Sequence, residues 1–208
     1  MSRYDGIKEA LAKIDKGEGL VPTPDNIAEE MINMLPEELW KREDLHKVRF
    51  LNLYTKSGAF EVAIKKKLLS LDNFVNKHKD IEEVIHNMIY GIAPNEKCAE
   101  IARGELYDDC DYEGNIKVIS RNTKEYIGLI KLDYKATKNN KLETVINNQL
   151  KLLTERIEEL FRDKDGEKMK FDIVECNPPY NNDIYLDFVQ LGHALVKKNE
   201  THTHSLVV

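Results

Sequence analysis

No apolar run in this 208-residue chain approaches the roughly 20 residues of a membrane span, and no hydrophobic stretch follows Met1-Ser2-Arg3-Tyr4-Asp5. Neither a membrane anchor nor a secretory leader is expected, and the simplest reading is a cytoplasmic protein. The three cysteines, Cys98, Cys110 and Cys176, form no CxxC pair and no metal-ligand spacing, which excludes a zinc module and a disulfide framework. His202-Thr203-His204 offers two imidazoles without a third ligand, so no metal is expected. There is no GxGxxG and no phosphate-loop glycine pattern, which argues against a dehydrogenase or a nucleotide hydrolase. An excess of basic charge is lacking too. At a net charge of −6, any nucleic-acid contact must be local or made outside these residues. The acidic pairs Glu29-Glu30, Glu37-Glu38 and Asp108-Asp109 are sequence neighbours that diverge on a helix, and they read as solvated faces.

What the chain does contain is an ordinary globular balance of 41% hydrophobic and 33% charged residues, enough for one α/β domain or two small ones. Ile7, Leu11 and Ile14 predict a short helix that ends by Gly17 and Gly19. Val21-Pro22-Thr23-Pro24-Asp25 then breaks the chain ahead of a second helix bearing Ile27, Ala28, Met31, Ile32 and Leu35, with Thr23 as its N-cap. A buried strand over Val48–Tyr54 runs into Thr55-Lys56-Ser57-Gly58 and a helix from Ala59 to about Leu71. A helix at 80–86, a strand near Asn87–Ile92, a helix over Glu96–Leu106 and a strand over Ile116–Ile119 follow. The strongest periodicity is Leu142, Val145, Ile146, Leu150, Leu153, Ile157, Leu160 and Phe161, which predicts a long amphipathic helix. This helix either faces the core, lies across the sheet as an insertion, or takes a partner helix. Phe171–Cys176 is a fourth strand, Ile184–Lys198 a last helix, and Asn199–Val208 shows no pattern. Strands alternating with helices imply a parallel sheet covered on both faces, with ligands beyond the carboxyl ends of the strands. The turn after the first strand and the tetrapeptide after the fourth lie at that edge and are expected to be neighbours.

That tetrapeptide is Asn177-Pro178-Pro179-Tyr180. Two prolines fix φ and remove two backbone donors, so the loop is stiff and presents carbonyls. Asn177 adds a side-chain acceptor, and the Tyr180 ring adds a stacking face. Two acceptors gripping the N–H bonds of an exocyclic amine favour a pyramidal nitrogen whose lone pair can meet an incoming methyl group. Such chemistry rests on positioning and electrostatics, with no formal base. A proline-containing turn without chemistry is the alternative reading.

With Phe171-Asp172-Ile173-Val174 ahead of it and Ile184, Tyr185, Phe188 and Val189 behind, the tetrapeptide resembles motif IV of the amino-methyltransferases. The chain is most similar to adenine-specific (N6) DNA methyltransferases of restriction–modification systems. Thr23-Pro24 with Ile27, Ala28 and Met31 resembles motif X; Phe50–Phe60, with Asn52, Tyr54, Thr55, Lys56, Ser57, Gly58 and Phe60, resembles the cofactor-wrapping motif I; Tyr90-Gly91-Ile92 with the helix after it resembles motif II. The order fits the gamma arrangement and covers about residues 20–196. The resemblance implies a Rossmann-like S-adenosylmethionine-dependent methyltransferase sheet with helices on both faces, here the N-terminal portion only and incomplete. The implied organisation is a motif X segment over 1–45, a partial catalytic domain over 46–198 with a helical insertion at about 138–165, and a tail over 199–208. S-adenosylmethionine is the implied cofactor, bound by Thr23, Asn52, Tyr54, Thr55, Lys56, Ser57, Gly58, Phe60, Ala93 and Asn177. Asn177, Pro178, Pro179 and Tyr180 are the implied catalytic set, acting on a flipped adenine. DNA is the implied partner, contacted through a recognition region absent from this chain or through a partner subunit.

Several positions depart from the family pattern. Asn52-Leu53 stands where the family has Asp-Pro, and Ala93 stands where an acid is expected for the ribose, leaving Asn95 or Glu96 as substitutes. Asn122 and Glu125 are the candidates for the motif III acid. Lys56 is expected either to pair with the cofactor carboxylate or to be solvated. Two further functions remain open: a non-catalytic remnant or partial subunit that binds a partner, and a protein glutamine methyltransferase, which shares Asn-Pro-Pro-Tyr.

Overall fold

A computed structural model describes residues 3–15, 19–132, 142–162, 165–179, 183–196 and 204–207. Five strands, β1 (Phe50–Asn52), β2 (Ile89–Ala93), β3 (Ile116–Val118), β4 (Ile173–Cys176) and β5 (His204–Val207), form one parallel sheet in the order β3-β2-β1-β4-β5. The residues of β1, β2 and β4 are all buried, as expected of parallel strands covered on both faces. The helices are α1 (Arg3–Ile14), α2 (Asp25–Asn33), α3 (Glu37–Trp40), α4 (Ala59–Leu69), α5 (Asp72–Val75), α6 (Ile81–His86), α7 (Glu96–Tyr107), α8 (Thr123–Ile130), α9 (Leu142–Leu160) and α10 (Ile184–Leu195). Helices α2, α4 and α7 pack together, while α8 and α9 both pack against α10. This is the α/β, Rossmann-like arrangement that the alternating pattern implied.

The chain runs from β1 outward to β2 and β3, then returns to the other flank of β1 as β4. The order therefore reverses between β1 and β4, and it is there that an open α/β sheet forms its ligand crevice. The registers Asn52↔Gly91 and Asn52↔Glu175 put those three residues in one row at the carboxyl end.

Helix α9 turns Leu153 and Ile157 inward, with Phe161 buried just past its end, and leaves Leu152 exposed, so its apolar face serves the core. Arg156 on α9 donates to the Ile119 carbonyl, tying the helix to the segment after β3.

Four expectations are corrected. The tail without a pattern contributes β5 beside β4, making five strands rather than four. The first strand is shorter than Val48–Tyr54, because the chain turns at Leu53, where Tyr54 N donates to Asn52 Oδ1. Helix α8 was not anticipated; Tyr126 anchors it by donating from its hydroxyl to the Leu53 carbonyl. Thr23 is not an N-cap: Pro24 holds that position with no side-chain cap, and the Thr23 hydroxyl is engaged elsewhere. No helix among the described residues is long and apolar enough to cross a membrane.

Candidate active site at the β1–β4 switch

The loops leaving β1 and β4 meet at the carboxyl edge, as the sequence implied. Lys56 is only 6% exposed, and its ammonium donates to the Asn177 carbonyl at 3.1 Å. It also lies 5.4 Å from the centre of the Tyr54 ring. Burial draws the Lys56 pKa down to about 8, partly offset by the Asp15 carboxylate. The solvated-lysine alternative is thereby excluded.

Asn177 is engaged a second time. Its Nδ2 donates to Thr23 Oγ1 at 2.9 Å, across 154 residues of sequence. The segment carrying Thr23 also presses on the tetrapeptide: at Gly19, where φ is +76°, a Cβ would lie 2.9 Å from Pro179 Cβ. Glycine is required there both for the left-handed backbone and for the close approach. Thr23 and Lys56, from the segments resembling motifs X and I, thus each contact Asn177 of the segment resembling motif IV. Tyr180 lies outside the described residues, as does His202.

Beneath these loops is a buried polar cluster. Asn52 Nδ2 donates to Glu61 Oε1 at 3.1 Å, and Thr55 Oγ1 donates to the same oxygen at 2.5 Å. Glu175 is 1% exposed and Glu61 fully buried. Glu61 Oε2 and both Glu175 oxygens have no hydrogen-bond partner among the described residues. Burial raises the Glu61 pKa, and it raises Glu175 well above the usual carboxylate range, with Glu61 adding to the shift. The cluster gives a reason for asparagine at position 52: an amide donates to Glu61, whereas an aspartate would set two acceptors face to face.

Gly58 is the N-cap residue of α4, at φ +76°, and its side-chain-free cap leaves the first helical N–H groups without a capping side chain. Its close neighbour is α7, since a Cβ on Gly58 would lie 3.1 Å from Ala102 Cα. Ser57 is buried beside it. Tyr54 stacks on Tyr126 with ring centres 5.9 Å apart and meets Phe188 edge-on, so this ring holds the turn from below. Phe60 and Ala93 are core residues of α4 and β2. Asn95 caps α7 by accepting from Cys98 N at 3.0 Å and donates to Thr123 at 2.7 Å, while Glu96 pairs with Arg103 at 2.6 Å. Asn122 caps α8, its Oδ1 accepting from Glu125 N, and Glu125 accepts from Arg121 N just ahead of the cap. These four side chains are thus engaged in helix ends and an ion pair.

Sequence reasoning missed Glu61, Glu175 and Gly19. The first two carried a signal, being charged residues inside the apolar runs Ala59–Ile64 and Phe171–Cys176. Gly19 carried none beyond its identity. Burial pushes the Cys98 thiol up to about 12 and raises Cys176 as well, so neither offers a thiolate.

The family model described as Eco57I restriction-modification methylase matches residues 87–203, from just before β2 past the end of α10. No curated protein matches the chain.

Proposed function

Because this chain belongs to the Eco57I restriction-modification methylase family, we propose that it methylates the N6 amino group of adenine in DNA, using S-adenosylmethionine. The observation that carries this reading is the placement of Asn177 at the β1–β4 switch, with its Nδ2 committed to Thr23 and its carbonyl to Lys56. Asn177 Oδ1 and the Pro178 carbonyl are then the acceptors for the two N–H bonds of the target amine. They favour a pyramidal nitrogen, and Tyr180, next in the chain, stacks on the base once it has left the duplex.

The residues fit the cofactor. The N–H groups opening α4 and the Lys56 ammonium suit a carboxylate, and Ser57 and Gly58 keep that approach narrow. Asn52, Thr55, Tyr54 and Phe60 support the turn from the core side, with Ala93 closing the end of β2. When bound, S-adenosylmethionine would supply a methyl group on a sulfonium leaving group, and the proton released from the amine would pass to solvent. No side chain need act as base: Asn177 and Pro178 position, and Lys56 holds the loop. The net charge of −6 fits DNA recognition through a separate region or partner subunit.

The test is calorimetric titration with S-adenosylmethionine, followed by transfer of labelled methyl to unmethylated DNA, with Asn177→Ala as control. Label in DNA that is lost in the variant supports the reading. Label in protein but never in DNA would support glutamine methylation instead, and cofactor binding without transfer, even with a partner chain added, would indicate a non-catalytic module.

A further inference from the structure

Asn177 is held at its side chain by one distant segment and at its main chain by another. We propose that Thr23 and Lys56 are positioning residues for the acceptor pair: Thr23 sets which end of the Asn177 amide faces the target amine, and Lys56 sets the direction of the Pro178 carbonyl. This inference rests on the methyl-transfer reading above and goes beyond it by separating amine positioning from cofactor binding.

A carboxamide has one accepting and one donating end, and only Oδ1 can take an N–H of the target. Turned the other way, Nδ2 would point its donors at the amine and repel it. Thr23 Oγ1 accepts from Nδ2 at 2.9 Å, which turns Oδ1 away from the Thr23 segment. Thr23 is 5% exposed, so water is a poor replacement for its hydroxyl. The approach of Gly19 to Pro179 keeps the segment seated, because a residue without a Cβ can lie directly against the Pro179 ring.

Lys56 works on the main chain. Its 3.1 Å hydrogen bond pins the Asn177 carbonyl and with it the plane of the Asn177–Pro178 peptide. Proline fixes the next φ near −65°. Once that plane is pinned, a single torsion, ψ of Pro178, is left to aim the second acceptor. The ammonium has three N–H bonds, so holding this carbonyl leaves others for a ligand anion. The two contacts together fix both acceptors from outside the tetrapeptide.

The experiment compares the full chain with Thr23→Val, Thr23→Ser, Lys56→Met and Lys56→Arg. It measures S-adenosylmethionine affinity by calorimetry and the rate of labelled methyl transfer to unmethylated plasmid DNA at saturating cofactor. The expected result for Thr23→Val is a rate lower by about 100-fold, with cofactor affinity changed less than about 3-fold, in line with the cost of misplacing a reacting group by an ångström. Thr23→Ser recovers most of that rate. Lys56→Met loses rate by a similar factor, and Lys56→Arg recovers part of it. The Asn177 side-chain amide, followed by NMR in asparagine-labelled protein, should exchange faster with solvent in Thr23→Val than in wild type or Thr23→Ser. If the valine variant is too unstable for kinetics, Thr23→Ala, which also removes the hydroxyl, gives the same comparison with wild type and Thr23→Ser.

An unchanged rate in both Thr23→Val and Lys56→Met overturns the inference, while leaving methyl transfer itself in place. Weaker cofactor binding at an unchanged saturated rate also overturns it and makes these residues cofactor ligands. A wild-type chain that binds cofactor but labels no DNA, even with a partner chain added, defeats the activity reading, and this inference falls with it.

Discussion

Gly91→Ala is the most direct test of the polar cluster beneath the site. Gly91 lies in the middle of β2, in register with Asn52, where no side chain intervenes between the strand and α4. A Cβ there would fall 2.8 Å from Glu61 Oε1 and 2.9 Å from Ile116 Cδ1, and closer still to Thr55 Oγ1. β2 is flanked by β1 and β3, so its backbone has little freedom to move aside. The methyl group must displace the Thr55 hydroxyl, which donates to Glu61 at 2.5 Å. Overpacking costs about 1–3 kcal/mol, and leaving Glu61 short of a donor costs about 1–3 kcal/mol more. The smaller unfolded-state entropy of alanine returns up to about 1 kcal/mol. The expected net loss is about 1–6 kcal/mol, large against a typical total of about 5–15 kcal/mol. Trp40, the single tryptophan, is buried and stacks on Phe50 of β1 with ring centres 5.9 Å apart, so its fluorescence reports sheet unfolding in urea. The midpoint should fall with little change in slope. Adding Thr55→Ala removes the nearest obstacle, so Gly91→Ala should cost less in that background. A loss below about 0.5 kcal/mol, the range of an uninvolved surface substitution, with no difference between the two backgrounds, would refute the placement of Thr55 and Glu61 against β2.

Asn52→Asp restores the acid of the family pattern but sets an acceptor against Glu61 Oε1; urea unfolding at pH 7 should show a loss of about 2–4 kcal/mol. Adding Glu61→Gln, which supplies a donor, should recover much of that loss; equal stability of Asn52→Asp and wild type would count against the cluster. Lys56 is depressed to about 8 from its usual 10.5, so between those values the unfolded chain holds a proton that the folded chain has released. Its contribution to stability therefore rises with pH across that window, by at most about 1.4 kcal/mol per pH unit. Wild type should gain stability relative to Lys56→Met from pH 8 to 10, and a flat difference in urea midpoints would sink this assignment. Gly58→Ala forces a Cβ onto a left-handed residue 3.1 Å from Ala102 Cα, and a calorimetric melt should show a loss of about 1–3 kcal/mol.

Much of the sheet was legible because its signals are local. The Leu153, Ile157 and Phe161 spacing defines the inner face of α9, and the apolar run before Asn177 defines β4, both without tertiary knowledge. Helix α8 escaped because Thr123, Gly128 and a capping pair carry weak propensity, and tertiary contacts through Tyr126 stabilise it. β5 escaped because four residues give no periodicity, and its pairing with β4 supplies the missing stabilisation. In the site, the meeting of Lys56 and Asn177 followed from topology, since both loops leave carboxyl ends of strands. The role of Thr23 did not follow. Local grammar reads Thr-Pro ahead of a helix as a cap, whereas its partner lies 154 residues away. Glu61 and Glu175 were readable as oddities in apolar runs, yet no rule of spacing joins a helix residue to a strand residue.

The contact between Thr23 and Asn177 also bears on when the site exists during folding. Closing a loop of 154 residues costs on the order of 4–5 kcal/mol in chain entropy when estimated from loop length alone. That contact lies outside the pairing of β1 with β4, so hydrogen exchange is expected to report the opening of the two separately. Substitutions in α1 or at Gly19 that leave the sheet's melting unchanged would then alter how often the site is assembled, a change that kinetics and hydrogen exchange register and a static structure does not.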